Sequence, residues 1–421
     1  MPVDAGTGFG GSVADDSYQK KYAFAARSLY RKWSALTLAA VPVNAADSPA
    51  VPDAYSDLYS LLQDTLDSTL QSAGGATGPC PNFSLELTTA NANRGPALLM
   101  PQALPGVRAT LDAFAAAGIH TVSVAVSYPI LYSKFPQSDQ YLAFYKAVFD
   151  ELHSRGFTTI AKMGNVFRDP VFGKLPTAQF FQGFNAQRYV TERREMLKTV
   201  LKELRPDYVT IEEEPDTQAM FTHIDFSPGS VVKYINGTLK SVDRGGAKIG
   251  AGAGSWSPLT YLQQIADQTH VDYLDIHVYP INRGYLSQNV AQAAQIARNH
   301  HKPLVVGEAW LYKSRDNEIG PHGLPFADLM ARDGYSFWSP LDSEFIKTMS
   351  ALGRRSGISI VSLFWINYLY GYVDYTPELD AAPAGQRILK FVQAAVPNLV
   401  AKRLSPSGET LKDLATSCSS H

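Results

Sequence analysis

Cysteine is almost missing from this sequence: Cys80 and Cys418 are the only two in 421 residues, too few and too far apart for a zinc module or a redox motif. They remain free to pair with each other. Charge is sparse as well. Charged residues make up 18% of the chain against 45% hydrophobic, which excludes disorder throughout and leaves enough apolar surface for a sizeable core. With a formal net charge of −2 there is no basic excess to neutralise phosphates, so nucleic acid and anionic membrane surfaces are poor partners. No apolar run approaches the roughly 20 residues that cross a bilayer, so no membrane span is expected. A Gly-rich phosphate turn is missing after the first candidate strand, where Phe83 to Leu87 runs into Thr88-Thr89-Ala90-Asn91-Ala92-Asn93-Arg94. That argues against an open, nucleotide-binding doubly wound sheet. No candidate strand offers a His-x-His pair, so neither a metal nor another cofactor is expected.

Aromatics are plentiful, with 22 Tyr, 20 Phe and 5 Trp. Tyr pairs a flat apolar face with a hydroxyl, a combination that suits carbohydrate. Residues 1–52 read as an N-terminal extension, flexible or signal-like. Arg27, Arg31 and Lys32 precede the apolar stretch Ala35 to Val43 and the small-residue site Val43-Asn44-Ala45-Ala46. That order resembles a secretory signal placed unusually deep in the chain, and it equally fits a short helix. On the signal reading the protein is secreted or periplasmic, and a Cys80 to Cys418 disulfide fits an oxidising compartment. Residues 53–79 form a helical lead-in, with Leu58, Leu61, Leu62, Leu66 and Leu70 at spacings of three and four, ended by Gly74-Gly75.

From there short β-branched or apolar runs alternate with helix-period segments. The strand candidates are Phe83–Leu87, Thr121–Val126, Thr158–Met163, Tyr208–Glu212, Lys248–Ala251, Tyr273–Val278, Leu304–Val306 and Ser359–Trp365. Strict alternation forces parallel pairing with right-handed crossovers. The expected architecture is an α/β protein, a (β/α)8 TIM barrel over residues 80–400 with an N-terminal helical extension and a C-terminal tail at 401–421. Ala251-Gly252-Ala253-Gly254 reads as a tight exit from the fifth strand.

In such a barrel chemistry sits at the carboxyl ends of the strands. The fourth strand ends Ile211-Glu212-Glu213-Glu214-Pro215-Asp216, and the seventh ends Val305-Val306-Gly307-Glu308-Ala309-Trp310. Two carboxyls facing one another across a sugar can break a glycosidic bond, one donating a proton while the other attacks or activates water. Their surroundings must push their pKa values apart.

On these residues the sequence resembles the clan A glycoside hydrolases, retaining glycosidase barrels with glutamates after strands four and seven. The resemblance implies that Glu214, before Pro215, is the acid/base and that Glu308 is the nucleophile. The sixth strand ends Asp275-Ile276-His277-Val278-Tyr279-Pro280, similar to the family's His-x-Tyr. This implies a Tyr279 hydroxyl on the nucleophile and a positioning role for His277. Trp365 inherits a stacking role under the sugar, with Trp310 and Trp256 as further platforms beside Tyr312, Phe337, Trp338, Tyr368, Tyr370 and Tyr372.

Departures from the family pattern are specific. Glu213 stands where the family has an Asn that binds the sugar's 2-hydroxyl, and three consecutive glutamates leave the register open by one. The second strand, Val122-Ser123-Val124-Ala125-Val126, lacks an Arg, and the third ends Ala161-Lys162-Met163 in place of a His. Lys162 either reaches solvent from the core edge or contacts substrate. Asp216 is read as capping the turn after Pro215. The expected function is a retaining glycoside hydrolase acting on β-linked poly- or oligosaccharide, with carboxyls about 5 to 5.5 Å apart. The alternative is a carbohydrate-binding barrel without catalysis, with a metal-dependent hydrolase built on the acidic run and His277 behind both. The oligomeric state stays open, a monomer being the default.

Overall fold

The computed structural model describes residues 49–75, 78–165, 180–279, 282, 284–319 and 323–419. The signal-like segment, and Pro280 of the sixth-strand motif, lie outside them.

Eight parallel strands close into a barrel in sequence order, the first pairing with the last. They are β1 Asn82–Glu86, β2 Thr121–Ala125, β3 Thr158–Lys162, β4 Tyr208–Glu212, β5 Lys248–Gly254, β6 Tyr273–Val278, β7 Leu304–Ala309 and β8 Ile358–Leu363. Helices follow the strands on the outside, among them Ala103–Ala116, Ser138–Ser154, Ala186–Thr199, Asn289–Asn299 and Ser339–Ser356. The expected barrel is observed. No described helix is long and apolar enough to cross a membrane.

Side chains on a strand alternate between faces, so every second residue fills the barrel. At the amino-terminal end the filling is apolar: Ile160, Tyr273, Val305 and Ile360 form one buried cluster. One layer up it turns polar. Ser123 Oγ lies 3.0 Å from Ser362 Oγ, and Thr210 Oγ1 lies 2.8 Å from the Tyr273 hydroxyl. At the carboxyl ends the same faces carry Glu86, Lys162 and His277, each about 1% exposed. Gly250 makes the middle layer possible, because a Cβ there would lie 2.1 Å from the Tyr273 ring.

Some elements depart from the sequence reading. Ala251 to Gly254 is not a strand exit but the second half of β5. In the lead-in helix Asp53–Ala73, Leu58, Leu62 and Leu66 are buried as expected, but Leu61 is 48% exposed, and Thr69 and Ala73 complete the buried stripe. The segment read only as a tail carries a helix, Pro406–Ser419, packed on Ser339–Ser356. Its Cys418 is disulfide-bonded to Cys80, ahead of β1.

Candidate active site

The register question left by three glutamates is answered by a slip in the β4–β5 pairing between Thr210 and Glu212. Glu212 faces the helix layer, where it accepts a hydrogen bond from the Tyr189 hydroxyl at 2.6 Å and pairs with the buried Arg193 at 3.4 Å. Glu213 and Glu214 both turn to the barrel mouth. β7 is irregular against both neighbours near Glu308, and such slips re-aim side chains at functional rims. Gly307 accommodates the turn: its N–H donates to Asp275 Oδ1 at 2.8 Å, and a Cβ would meet that carboxylate at 2.4 Å.

Glu214 and Glu308 converge on the same two groups. The Tyr279 hydroxyl contacts Glu214 Oε1 and lies 3.3 Å from Glu308 Oε2. His277 Nδ1 is 2.7 Å from Glu214 Oε1 and 4.0 Å from Glu308 Oε2. Thr217 Oγ1 donates to the other Glu214 oxygen at 2.7 Å. Glu214 also stands at the N-cap of the helix Pro215–Thr222, whose positive end favours its anion. The two carboxylates retain 15% and 13% side-chain exposure, enough to meet a ligand from the mouth.

Opposing influences act on these groups. Burial pushes Glu214 up, but the His277 hydrogen bond and charge, then Tyr279 and Thr217, outweigh it and hold the carboxyl down at about 2. Burial pulls His277 down, while Glu308 and Glu214 raise it to about 10, so it is an imidazolium. Glu213 moves the other way. Burial raises it to about 8, with Lys162 and His277 only partly offsetting, so at neutral pH it keeps its proton. Its Oε1 accepts the Gly164 N–H at 2.5 Å, and its Oε2 lies 3.5 Å from His277 Nε2.

Lys162 neither reaches solvent nor lines the surface open to a ligand. It is 1% exposed, 2.5 Å from Glu86 Oε2, and paired with Glu308 Oε1. Its charge is raised against burial by Glu308, Glu86 and Glu213. Glu86 takes a further hydrogen bond from Asn91 Nδ2 at 2.6 Å.

The aromatics divide. Trp256 donates its indole N–H to Asp216 at 2.7 Å, and its ring lies 4.9 Å from Tyr279. Asp216, expected only as a turn cap, thus also fixes this platform. Trp365 is half-buried at the exit of β8, in the left-handed region with φ 60°, a conformation uncommon for a bulky residue and often associated with functional sites. Trp310 is 2% exposed, donates to Asp333 at 3.1 Å and packs tilted against Tyr312 with ring centres 4.4 Å apart, so it backs the wall instead of presenting a face. Phe337 and Trp338 pack on Tyr55 of the lead-in helix, and Tyr368 and Tyr370 are buried in the core. Tyr372 donates to Asp342. These last five are structural.

Glu213, His277 and Glu308 place one donor atom each within 4.8 Å of one another, a spacing that could hold a cation. Two of the three are already engaged: Glu308 is paired with the Lys162 ammonium, and His277 Nδ1 lies 2.7 Å from Glu214 Oε1. Glu86, Asp275 and Asn91 were missed by sequence reading. Glu86 ends a strand just as Glu308 does and was open to the same rule; Asn91 becomes relevant only once Glu86 is placed.

No protein-family model matches the sequence, and no curated protein matches it. Solved structures do share its shape. A GH5_18 protein from Bifidobacterium longum subsp. longum ATCC 55813 superposes with TM-score 0.51 at 14% identity, covering 81% of this chain and 80% of its own. A variant of that protein, in complex with Manb1-4GlcNAc, gives 0.50 at 13% identity over 80% and 78%. A GH5_18 variant from Streptomyces cattleya with the same disaccharide gives 0.50 at 14%, over 80% of each chain. At such identity the likeness establishes the barrel fold.

Proposed function

We propose that this protein is a retaining glycoside hydrolase acting on β-linked sugars, with Glu308 as nucleophile and Glu214 as acid/base. The observation that carries this reading is the pair of half-open carboxylates, from strands four and seven, sharing one tyrosine hydroxyl and one imidazolium. A single phenol touching both is compatible with the about 5 to 5.5 Å spacing of retaining enzymes.

In the first step Glu308 Oε2 bonds to the anomeric carbon as the glycosidic C–O bond breaks, and the leaving oxygen takes a proton from Glu214. In free protein that proton sits on His277, one 2.7 Å hydrogen bond away; a bound sugar that excludes water disfavours the separated charges and moves it onto the carboxyl. In the second step Glu214 takes a proton from water, the water oxygen bonds to the anomeric carbon, and Glu308 leaves as carboxylate. Two inversions give retention. Tyr279 steadies both carboxylates, while Trp256 and Trp365 offer faces to the sugar.

The test is product analysis on a glycan panel. Because similar structures hold Manb1-4GlcNAc, β-mannosides head it. Glu308→Ala abolishes turnover on the active substrate, and azide restores it with an inverted glycosyl azide as product. A fully active Glu308→Ala removes the assigned nucleophile. Tight oligosaccharide binding without hydrolysis would favour the non-catalytic barrel, a reading supported by the ionised Glu214 of the free protein. The Cys80–Cys418 bond supports an oxidising compartment and so the secreted or periplasmic location.

A further inference from the structure

We propose that Lys162, braced by Glu86, is the positioning residue that fixes one oxygen of Glu308 and leaves the other free to meet a ligand. The proposal deepens the hydrolase reading and rests on it.

Lys162 is the last residue of β3, with its side chain inside the barrel, and its ammonium reaches across to Glu308 on β7. On its other side it meets Glu86 from the end of β1. Glu86 is 1% exposed and its second oxygen is occupied by Asn91. It is therefore sealed from any ligand. Glu308 differs: Lys162 holds Oε1, Oε2 lies 3.3 Å from the Tyr279 hydroxyl, and the side chain keeps 13% exposure. One ammonium between two carboxylates leaves one excess negative charge, and only Glu308 has an oxygen where a ligand can meet it.

A lysine suits this post, because it is a compact charge with three rotatable donors, and two of those donors can serve two carboxylates that approach from different strands. The arrangement also accounts for the unusual residues noted in sequence. β2 carries no arginine, and the cation beside Glu308 comes from β3 instead. The other titratable groups facing Glu308 are Glu86, Glu213, Glu214, His277, Tyr279 and Tyr312. Of these only His277 adds positive charge, and its nearer carboxylate is Glu214. Removing Lys162 would thus leave Glu308 beside the buried Glu86 without the cation bound to both.

The experiment compares Lys162→Met, Lys162→Arg and Glu86→Gln on the best substrate, with thermal melts alongside. Lys162→Met is expected to lower kcat/KM about 10²-fold and to move the acidic limb of its pH profile to higher pH. Lys162→Arg should recover most of the rate and return the limb. Glu86→Gln should move the limb the opposite way, to lower pH, since one competitor for the ammonium loses its charge. A merely structural ion pair predicts lower melting temperatures with unmoved limbs, and that result would overturn the proposal. If Lys162→Met does not fold, the Glu86→Gln limb decides alone. A wild type inert on every glycoside sinks the hydrolase reading, and the link between Lys162 and Glu308 is then tested without turnover. The carbon-13 carboxyl signal of Glu308, assigned with Glu308→Gln, then supplies the readout: a titration midpoint unchanged in both Glu86→Gln and Lys162→Met refutes the coupling.

Discussion

Two buried lysines in this molecule each bridge two carboxylates, yet the two triads differ in one respect. Lys162 joins Glu86 and Glu308 at the barrel mouth; Lys313, after β7, joins Asp333 at 2.7 Å and Asp342 at 2.5 Å. In the second triad all three side chains are at most 3% exposed. Trp310 and Tyr372 donate to its aspartates, so both carboxylates take further donors from within the fold. In the first, Glu308 keeps an oxygen toward solvent and a second acid within reach. Burial of charge alone therefore does not mark a reactive centre. What marks it is a charged oxygen with no permanent donor beyond the groups that tune it.

The largest expected effect tests the open triad. Glu308→Gln should lose at least about 10³-fold in kcat/KM, since no nucleophile remains, while the melting temperature changes little; steady-state kinetics and calorimetry on one sample read both. Lys313→Met should do the reverse. Stranding two buried aspartates costs about 3–5 kcal/mol, seen as a lower denaturation midpoint, while kcat per folded molecule stays within a few-fold. A Lys313 variant that is stable and inactive would erase the distinction.

Proton linkage gives the next effect. Glu213 is held at about 8 in the folded state against an ordinary carboxyl value of 4.5. Between those values the native protein binds the extra proton, so its stability falls as pH rises through that window and levels off above about 8. Chemical denaturation from pH 5 to 9 should show this decline, and Glu213→Gln should flatten it. A wild-type curve with no slope there would place Glu213 in an ordinary ionised state. The smallest effect is a surface control: Lys146 and Glu203 form an ion pair with 46% and 25% exposed side chains. Lys146→Ala should cost no more than about 0.5 kcal/mol, in contrast to Lys313.

The barrel was legible because its signals are local. β-branched runs, turn residues and helical spacing recur along the chain, and all eight strands begin within one residue of the sequence reading. The glutamates after strands four and seven followed from the rule that chemistry gathers at strand ends, whereas Glu214 among them, His277 and Tyr279 were singled out through the resemblance to clan A glycosidases. Less legible were features set by pairing across the fold. The slip that turns Glu212 outward is a property of β4 against β5, not of the three glutamates themselves. Lys162 could be singled out but not interpreted, because its partners come from β1 and β7. The burial of Trp310 depends on Asp333, which lies on the far part of its own loop. The helix Pro406–Ser419 passed for a tail because its buried hydrophobic side chains, Leu411 and Ala415, are few.

The bond between Cys80 and Cys418 turns nearly the whole barrel into a covalent ring. A protease that cuts any loop between those two positions produces a nick, not two separable pieces, and both rim glutamates stay on one molecule until a reductant opens the crosslink.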